Sequence, residues 1–90
     1  MEDRDWQILQ ELHRTKNITK AAQLLYMSQP ALTARLQNIE TEFNVRVITR
    51  STKGIKFTPE GEYLAHQAGE ILQQIKKMKL IYQLWEWLIL

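Results

Sequence analysis

The sequence predicts a mainly α-helical domain that carries one β-hairpin and ends in a long helix. Three patterns predict it: helical spacing of apolar residues up to residue 43, strand-like alternation from 45 to 58, and a second helical period from 59 onwards. Ninety residues, 44% of them apolar, suffice for one domain with a modest core. We therefore divide the chain into a compact unit, residues 1–58, and a helix, residues 59–90.

Two helices are expected before residue 28. The first carries its apolar side chains at helical spacing: Trp6, Ile8, Leu9 and Leu12. Asp3 or Asp5 is expected to cap its start, and Asn17 to interrupt the pattern. A second, short helix follows from about Thr19.

The third helix begins close to a proline. Ser28 is a favoured N-cap, and Pro30 then lies in the first turn, where its missing N–H costs no hydrogen bond. One side of this helix is apolar over its whole length: Leu32, Leu36, Ile39 and Phe43. Two helices joined by so short a turn form a helix-turn-helix, in which the second helix enters the DNA major groove.

A β-hairpin is expected after the third helix. Residues 45–51 read as a strand, Lys53-Gly54 as a turn and residues 55–58 as a returning strand. Alternation in the first strand puts Arg46 and Ile48 on the side opposite to Val45 and Val47. The hairpin completes a winged helix-turn-helix, which consists of three helices and a two-stranded β wing.

Charge is concentrated in the middle of the chain. The net charge is +2, but residues 17–58 carry six bases against two acids, and residues 43–58 carry four bases and no acid. A basic centre between faintly acidic ends predicts a surface that faces a polyanion. An ordinary solvated face is the alternative interpretation of the charge pattern.

Residues around the start of the third helix suit contacts with bases. Gln29 offers a donor and an acceptor to an adenine edge, and Arg35 is long enough to reach guanine or a phosphate. Pro30 and Ala31 suit a thymine methyl group. No acid occurs between Glu11 and Glu40 to repel phosphates.

Other residues suit the DNA backbone. The Ser28 hydroxyl and the N–H groups at the helix start favour a phosphate. Arg50 and Lys53, near the hairpin tip, are expected to lie against the backbone or in the minor groove. The alternative to a DNA-binding helix-turn-helix is that the second and third helices are an ordinary helical hairpin in the core of an unrelated domain.

The fourth helix is expected to begin at Pro59 with Thr58 as its cap. Its apolar residues repeat in steps of four and three, as in a heptad seam: Leu64, Ala68, Ile71, Ile75, Met78, Tyr82, Trp85 and Ile89. So long a stripe exceeds what a small domain can cover, which predicts a dimer formed with a second copy. Residues 83–90 are unusually apolar, and such a tail is normally followed by more protein that covers it; the alternatives are that it extends this seam or is not native to the protein.

Several classes of function are excluded. His13 and His66 lie on different predicted helices without a nearby acid or second ligand, and Ser28 lacks the partners of a catalytic triad. We therefore expect no enzyme, no metal site and no cofactor, and the absence of cysteine removes thiolate ligands and disulfides. No apolar run of 18 residues predicts a membrane span, and the acidic N-terminus is unlike a secretory signal.

From about Trp6 to Lys79 the chain resembles the DNA-binding module of LysR-type transcriptional regulators. The most specific parts are ITKAAQLLYMSQPALTARLQNIE and VRVITRSTKGIKFTPEGE, residues 18–40 and 45–62. The resemblance implies that the groove is met by Gln29, Pro30, Ala31, Thr33 and Arg35. It also implies that the backbone or minor groove is met by Ser28, Lys20, Arg50, Lys53 and Thr58. The chain departs from the family at Val47-Ile48, where a Leu-Phe pair is frequent, and at Arg35, where Gln is frequent.

The resemblance also implies how the module works. Members dimerise through the long linker helix after the wing, often form tetramers at full length, and act in the bacterial cytoplasm on the nucleoid. The ligand-sensing effector domain that normally follows is absent from these 90 residues, so a small-molecule inducer would act only through a domain outside them.

The function predicted is that of a sequence-specific DNA-binding module of a transcriptional regulator. It binds an interrupted palindrome as a homodimer, with the 29–42 helix in the major groove and the 47–57 wing on the backbone or minor groove. The alternative is a dimerisation module, a short form that pairs with a full-length regulator. A winged helix of another family, such as the MarR type, is a lesser alternative.

Overall fold

The computed structural model describes residues 1–89 and the side chains of residues 1–88. It confirms a mainly α winged helix-turn-helix that continues into a long helix. The elements in chain order are α1 (Asp3–Thr15), α2 (Ile18–Leu24), α3 (Gln29–Phe43), β1 (Ile48–Ser51), β2 (Gly54–Phe57) and α4 (Pro59–Ile89).

Polar side chains cap the helices of the helix-turn-helix. The Ser28 hydroxyl accepts the N–H of Ala31 at 3.2 Å, and Pro30 is the second residue of α3, as predicted. The Asn17 side chain accepts the N–H of Lys20 at 2.9 Å. Asn17 is thus the N-cap of α2 as well as the residue that interrupts the pattern.

The cap of α1 differs from the prediction. Glu2, rather than Asp3 or Asp5, is the N-cap residue, and its N–H donates to the Asp5 carboxylate at 2.8 Å. Asp5 therefore lies inside the first turn, where its negative charge also suits the positive end of the helix dipole.

The core lies where α1, α2, α3, the first half of α4 and the base of the wing meet. Its fully buried side chains are Ile8, Leu9, Leu12, Ala21, Leu32, Val47 and Ala68. The predicted apolar side of α3 is buried at Leu32, Leu36 and Ile39, but Phe43 is 41% exposed because it lies in the last turn, at the margin of the core.

The wing is a short antiparallel hairpin. Ile48 pairs with Phe57 and Ser51 with Gly54, so residues 52–53 form the turn, one residue earlier than predicted. Gly54 has φ of 113°, a conformation that side chains disfavour, and it begins β2.

β1 begins at Ile48 and not at Val45, because the backbone N–H groups of the preceding residues are hydrogen-bonded to the end of α3. The Val45 N–H donates to the Glu40 carbonyl at 3.1 Å, and the Val47 N–H donates to the Glu40 carboxylate at 2.7 Å. Strand alternation therefore does not apply to this segment, and Ile48 is buried together with Val47 instead of facing away from it.

The two halves of α4 have different surroundings. Leu64, Ala65 and Ala68 pack into the core, largely against α1, while the helix beyond about residue 76 projects from the domain. Leu64 and Ala68 were predicted in the dimer seam, but they are only 8% and 0% exposed, so the core of the same chain already covers them and leaves little surface for a second chain. Among the residues described, no helix is long and apolar enough to cross a membrane.

Candidate nucleic-acid interface

One exposed side of α3 forms a shallow concavity of about 350 Å³. We call it the recognition face, and it is lined by Gln29, Pro30, Thr33, Ala34 and Gln37. These side chains share one side of the helix because they follow the i, i+3, i+4 pattern opposite the buried Leu32, Leu36 and Ile39. The face carries amides, a hydroxyl and alkyl groups, and no charge.

Gln29 is the first residue of α3 and touches α2. Its side-chain oxygen accepts a hydrogen bond from the Thr19 hydroxyl at 3.3 Å, which leaves the amide N–H groups free to donate outward. Ala31 is exposed in the same first turn, but it lies beside the recognition face and does not line it.

A larger cleft of about 940 Å³ separates α3 from the wing. Thr33 and Gln37 line both the recognition face and this wing cleft, so the two surfaces are continuous. Arg46 and Arg50 line the cleft from the wing side, opposite the polar edge of α3. The one acid in the cleft, Glu40, is bound to the Val47 N–H.

Four exposed cations lie on the wing or directly before it: Arg46, Arg50, Lys53 and Lys56. Within residues 1–88, none of the four forms an ion pair, and the same is true of Lys20 on the exposed side of α2. Their positive charge is therefore uncompensated by nearby carboxylates and favours an anionic partner.

Arg35 does not line this surface, and its side chain is engaged elsewhere than at the base edges where it was predicted to act. It lies two residues from both Thr33 and Gln37, which puts it roughly 160° around the helix from them. Its guanidinium instead binds Asp5 and Glu2 at the start of α1, each at 3.3 Å. Side-chain hydrogen bonds to Asp5 and then Glu2 raise the pKa of Arg35 above its ordinary value.

Thr58 is also used inside the domain, which is at odds with its predicted contact with the DNA backbone. Its hydroxyl donates to the Arg46 carbonyl and accepts the N–H of Gly61 at 2.9 Å, as expected of a cap. A hydroxyl has one proton, so Thr58 cannot also donate to a phosphate. In contrast, the Ser28 hydroxyl acts only as an acceptor in the described structure, and its proton is available.

Gly61 is a structural residue that sequence reasoning missed. A Cβ at this position would lie 2.1 Å from the Val47 carbonyl oxygen, so α4 can rest directly on the base of the wing only with glycine here. A glycine in the first turn of a long helix is the signal that could have indicated it, since helix interiors disfavour glycine.

His13 joins α1 to the wing and to α4. Its Nε2 lies 2.6 Å from a carboxylate oxygen of Glu62, and its ring meets that of Phe57 edge to face with centroids 5.0 Å apart. No acid was expected near His13 from the sequence, but the fold brings Glu62 of α4 next to it. Within the described residues no three histidine or carboxylate side chains cluster as metal ligands would.

The fold, the neutral recognition face and the cationic wing beside it define a winged helix-turn-helix domain. The model of one family, described as bacterial regulatory helix-turn-helix protein, lysR family, matches residues 4–62. The chain belongs to this family, and the resemblance identified from its motifs is confirmed.

Similar proteins include two regulators of Bacillus subtilis strain 168. The uncharacterized HTH-type transcriptional regulator YraN is 42% identical over 79 residues, which are 88% of this chain and 27% of YraN. The HTH-type transcriptional regulator YofA is 42% identical over 72 residues, 80% of this chain and 25% of YofA. The chain therefore spans about a quarter of the length of these relatives.

Two similar solved structures are complexes with DNA. The BenM DNA-binding domain bound to catB site 1 DNA superposes with a TM-score of 0.87 at 29% identity, covering 92% of this chain and 93% of that one. The CbnR DNA-binding domain bound to DNA gives a TM-score of 0.87 at 28% identity, covering 92% and 95%. These relatives are regulators and not enzymes.

Proposed function

We propose that this chain binds double-stranded DNA sequence-specifically, as the DNA-binding module of a LysR-family transcriptional regulator acting on the bacterial nucleoid. The observation that carries the proposal is the continuity of the recognition face with the wing cleft, whose cations are unpaired within the described residues. The family membership and the DNA-bound state of two similar domains support it.

α3 enters the major groove with its N-terminal turn leading, over residues 29–42. Gln29, Pro30 and Thr33 meet base edges, and the geometry adds Ala34 and Gln37 to this set. Ala31 lies at the rim of the contact. Arg35 contributes indirectly, because its hydrogen bonds to Glu2 and Asp5 fix the orientation of α3 against α1.

The wing, residues 47–57, supplies affinity more than discrimination. Arg50 lies in the cleft that a DNA strand would occupy, and Lys53 lies in the exposed turn, so both meet phosphates or the minor groove. Lys20 and the Ser28 hydroxyl approach phosphates from the helix-turn-helix side.

A salt titration of binding to random duplex DNA, followed by fluorescence anisotropy, tests the proposal. Each phosphate neutralised steepens the salt slope by about 0.9, so the wing and Lys20 together predict a steep negative slope. The number of chains bound per duplex is read at saturation. If a folded protein fails to bind at low salt, the proposal is wrong, and the dimerisation module becomes the better account of the exposed α4 face.

Arg50→Ala is expected to weaken binding to all sequences alike and to flatten the salt slope by about 0.9, because one phosphate contact is lost. Arg14→Ala is the matched control. It removes the same charge from α1, where Arg14 binds Glu11 at 2.6 Å, and it should leave the slope unchanged. A loss confined to one DNA sequence would contradict the role of the wing.

The second copy in a dimer contacts α4 from Ile71 onwards, that is, the last part packed on the domain and the part that projects from it. Of the predicted seam, Ile71 and Ile75 are half-buried, and Met78, Tyr82 and Trp85 are 50–66% exposed. We propose that these five residues form the dimer contact, so that the two α3 helices of the dimer bind an interrupted palindrome. In a full-length form, the additional domain would bind the small-molecule inducer, and two dimers would associate into a tetramer. The functional division at residue 58 remains part of this proposal, although the start of α4 belongs to the core.

Tyr82→Glu is expected to raise the dimer dissociation constant at least about tenfold, since a carboxylate in an apolar seam loses hydration. Sedimentation velocity at micromolar concentration measures it. Gln83→Glu is the matched control, because it adds the same charge at the next residue, which lies off the seam. Equal association of the two variants would remove Tyr82 from the interface.

A further inference from the structure

The recognition face is free of cations, although α3 itself contains one. Arg35 is the only Lys or Arg among residues 29–43, and Glu2 and Asp5 hold it on the far side of the helix. Base edges opposite the face therefore meet the amides of Gln29 and Gln37, the Thr33 hydroxyl, and the alkyl groups of Pro30 and Ala34.

These groups match some bases better than others. Guanine presents two acceptors in the major groove, and a guanidinium is their commonest specific partner. Adenine presents a donor beside an acceptor, which a glutamine amide pairs in a bidentate manner, and thymine presents a methyl group that suits an alkyl contact. The face thus lacks the partner that guanine favours and has those that adenine and thymine favour.

We propose that α3 selects a half-site of A·T pairs, in which Pro30 and Ala34 contact thymine methyl groups and glutamine amides contact adenine. This inference rests on the proposed function and names the bases that the same surface reads. Ala34 becomes a specificity-determining residue, a role the sequence did not indicate.

The spacing of the alkyl groups agrees with the proposal. Residues four apart on a helix lie about 5–6 Å from each other. Successive bases on a strand are about 3.4 Å apart along the axis. Pro30 and Ala34 therefore reach methyl groups on neighbouring or next-neighbouring base pairs. The small Ala34 side chain also allows the helix backbone to approach the groove closely.

Deoxyuridine provides the direct test, because it pairs like thymidine but lacks the methyl group. The cognate site is first obtained with this 90-residue chain by selection from a random duplex library. Each conserved thymidine is then replaced singly by deoxyuridine, and the dissociation constants are compared. We expect about a fourfold loss at one or two positions, which corresponds to about 0.8 kcal/mol for a buried methyl-sized group.

Two variants assign the contact to Ala34. Ala34→Gly should bring the ratio of uridine to thymidine dissociation constants close to one at one of these positions. Any general loss of helix stability cancels in that ratio, because it weakens binding to both duplexes equally. Ala34→Arg should introduce a preference for guanine at the base pair it meets.

The preference for A·T pairs and the proposed DNA binding can be disproved by different results. A uridine-to-thymidine ratio of one at every conserved position, or a selected half-site made mainly of G·C pairs, would overturn it while leaving sequence-specific binding intact. A folded protein that binds no duplex at low salt would overturn the proposed function and this inference together.

Discussion

Replacing Gln29 with alanine is expected to weaken binding to the selected cognate duplex by about 1–3 kcal/mol, and binding to random DNA by much less. Gln29 leads α3 and lines the recognition face, and its amide N–H groups are free to donate. A base contact contributes only when the correct base is present, whereas phosphate contacts are the same on all sequences. The ratio of the two affinities is therefore the informative quantity.

Anisotropy titrations of the variant and the parent on both duplexes, at one salt concentration, provide this measurement. Gln10→Ala on the exposed side of α1 is the matched control and should change neither affinity. The Thr19 hydroxyl loses its partner in Gln29→Ala, so thermal unfolding is measured in parallel. Equal losses on both duplexes would move Gln29 from base recognition to backbone contact or to support of α2.

Replacing Gly61 with alanine is expected to destabilise the fold by about 1–3 kcal/mol, the usual cost of overpacking. In a domain of this size each kcal/mol lowers the Tm by about 4–8 °C. The new methyl would lie 2.1 Å from the Val47 carbonyl oxygen and 2.9 Å from its carbon, so backbone must shift. Since Thr58 binds this same segment, the base of the wing would be displaced from α4.

Gly69 provides the control within the same helix. A Cβ there would meet only the Gln10 amide nitrogen, at 3.8 Å, which is ordinary contact. Gly69→Ala should therefore stabilise the protein by about 0.5–1 kcal/mol through helix propensity. Both variants are followed by thermal denaturation with circular dichroism. If Gly61→Ala unfolds at or above the temperature of Gly69→Ala, the close packing of α4 on the wing is refuted.

The positions of the helices and of the hairpin could be predicted from the sequence. Ser28 and Pro30 start α3, Thr58 and Pro59 start α4, and the basic hairpin lies between them, all as expected. These signals are local, because a cap or a turn involves atoms a few residues apart. The element boundaries differ by one to three residues at the cap of α1, at the start of α2, at the start of β1 and at the hairpin turn.

The roles of individual side chains could be predicted only in part. Gln29, Pro30 and Thr33 lie together on the recognition face, and Arg50 and Lys53 lie exposed on the wing. Arg35 has a long cationic side chain on the second helix of a helix-turn-helix, which is the helix that enters the major groove in this motif, so base contact was expected. Its carboxylate partners lie 30 and 33 residues earlier in the chain, beyond the reach of any local pattern.

The sequence alone determined the order and approximate extent of the helices and of the hairpin, which sides are apolar, and where positive charge concentrates, since each depends on neighbouring residues. Only the tertiary structure decided that Arg35 is held by α1, that the Thr58 hydroxyl donates to the Arg46 carbonyl, that Gly61 is required by Val47, and that Leu64 and Ala68 belong to the core. Each of these depends on how close two distant segments come when helices pack. A heptad pattern shows that a residue is apolar but does not specify which surface covers it. In this fold α1 packs against Leu64 and Ala68, the first two positions of the seam.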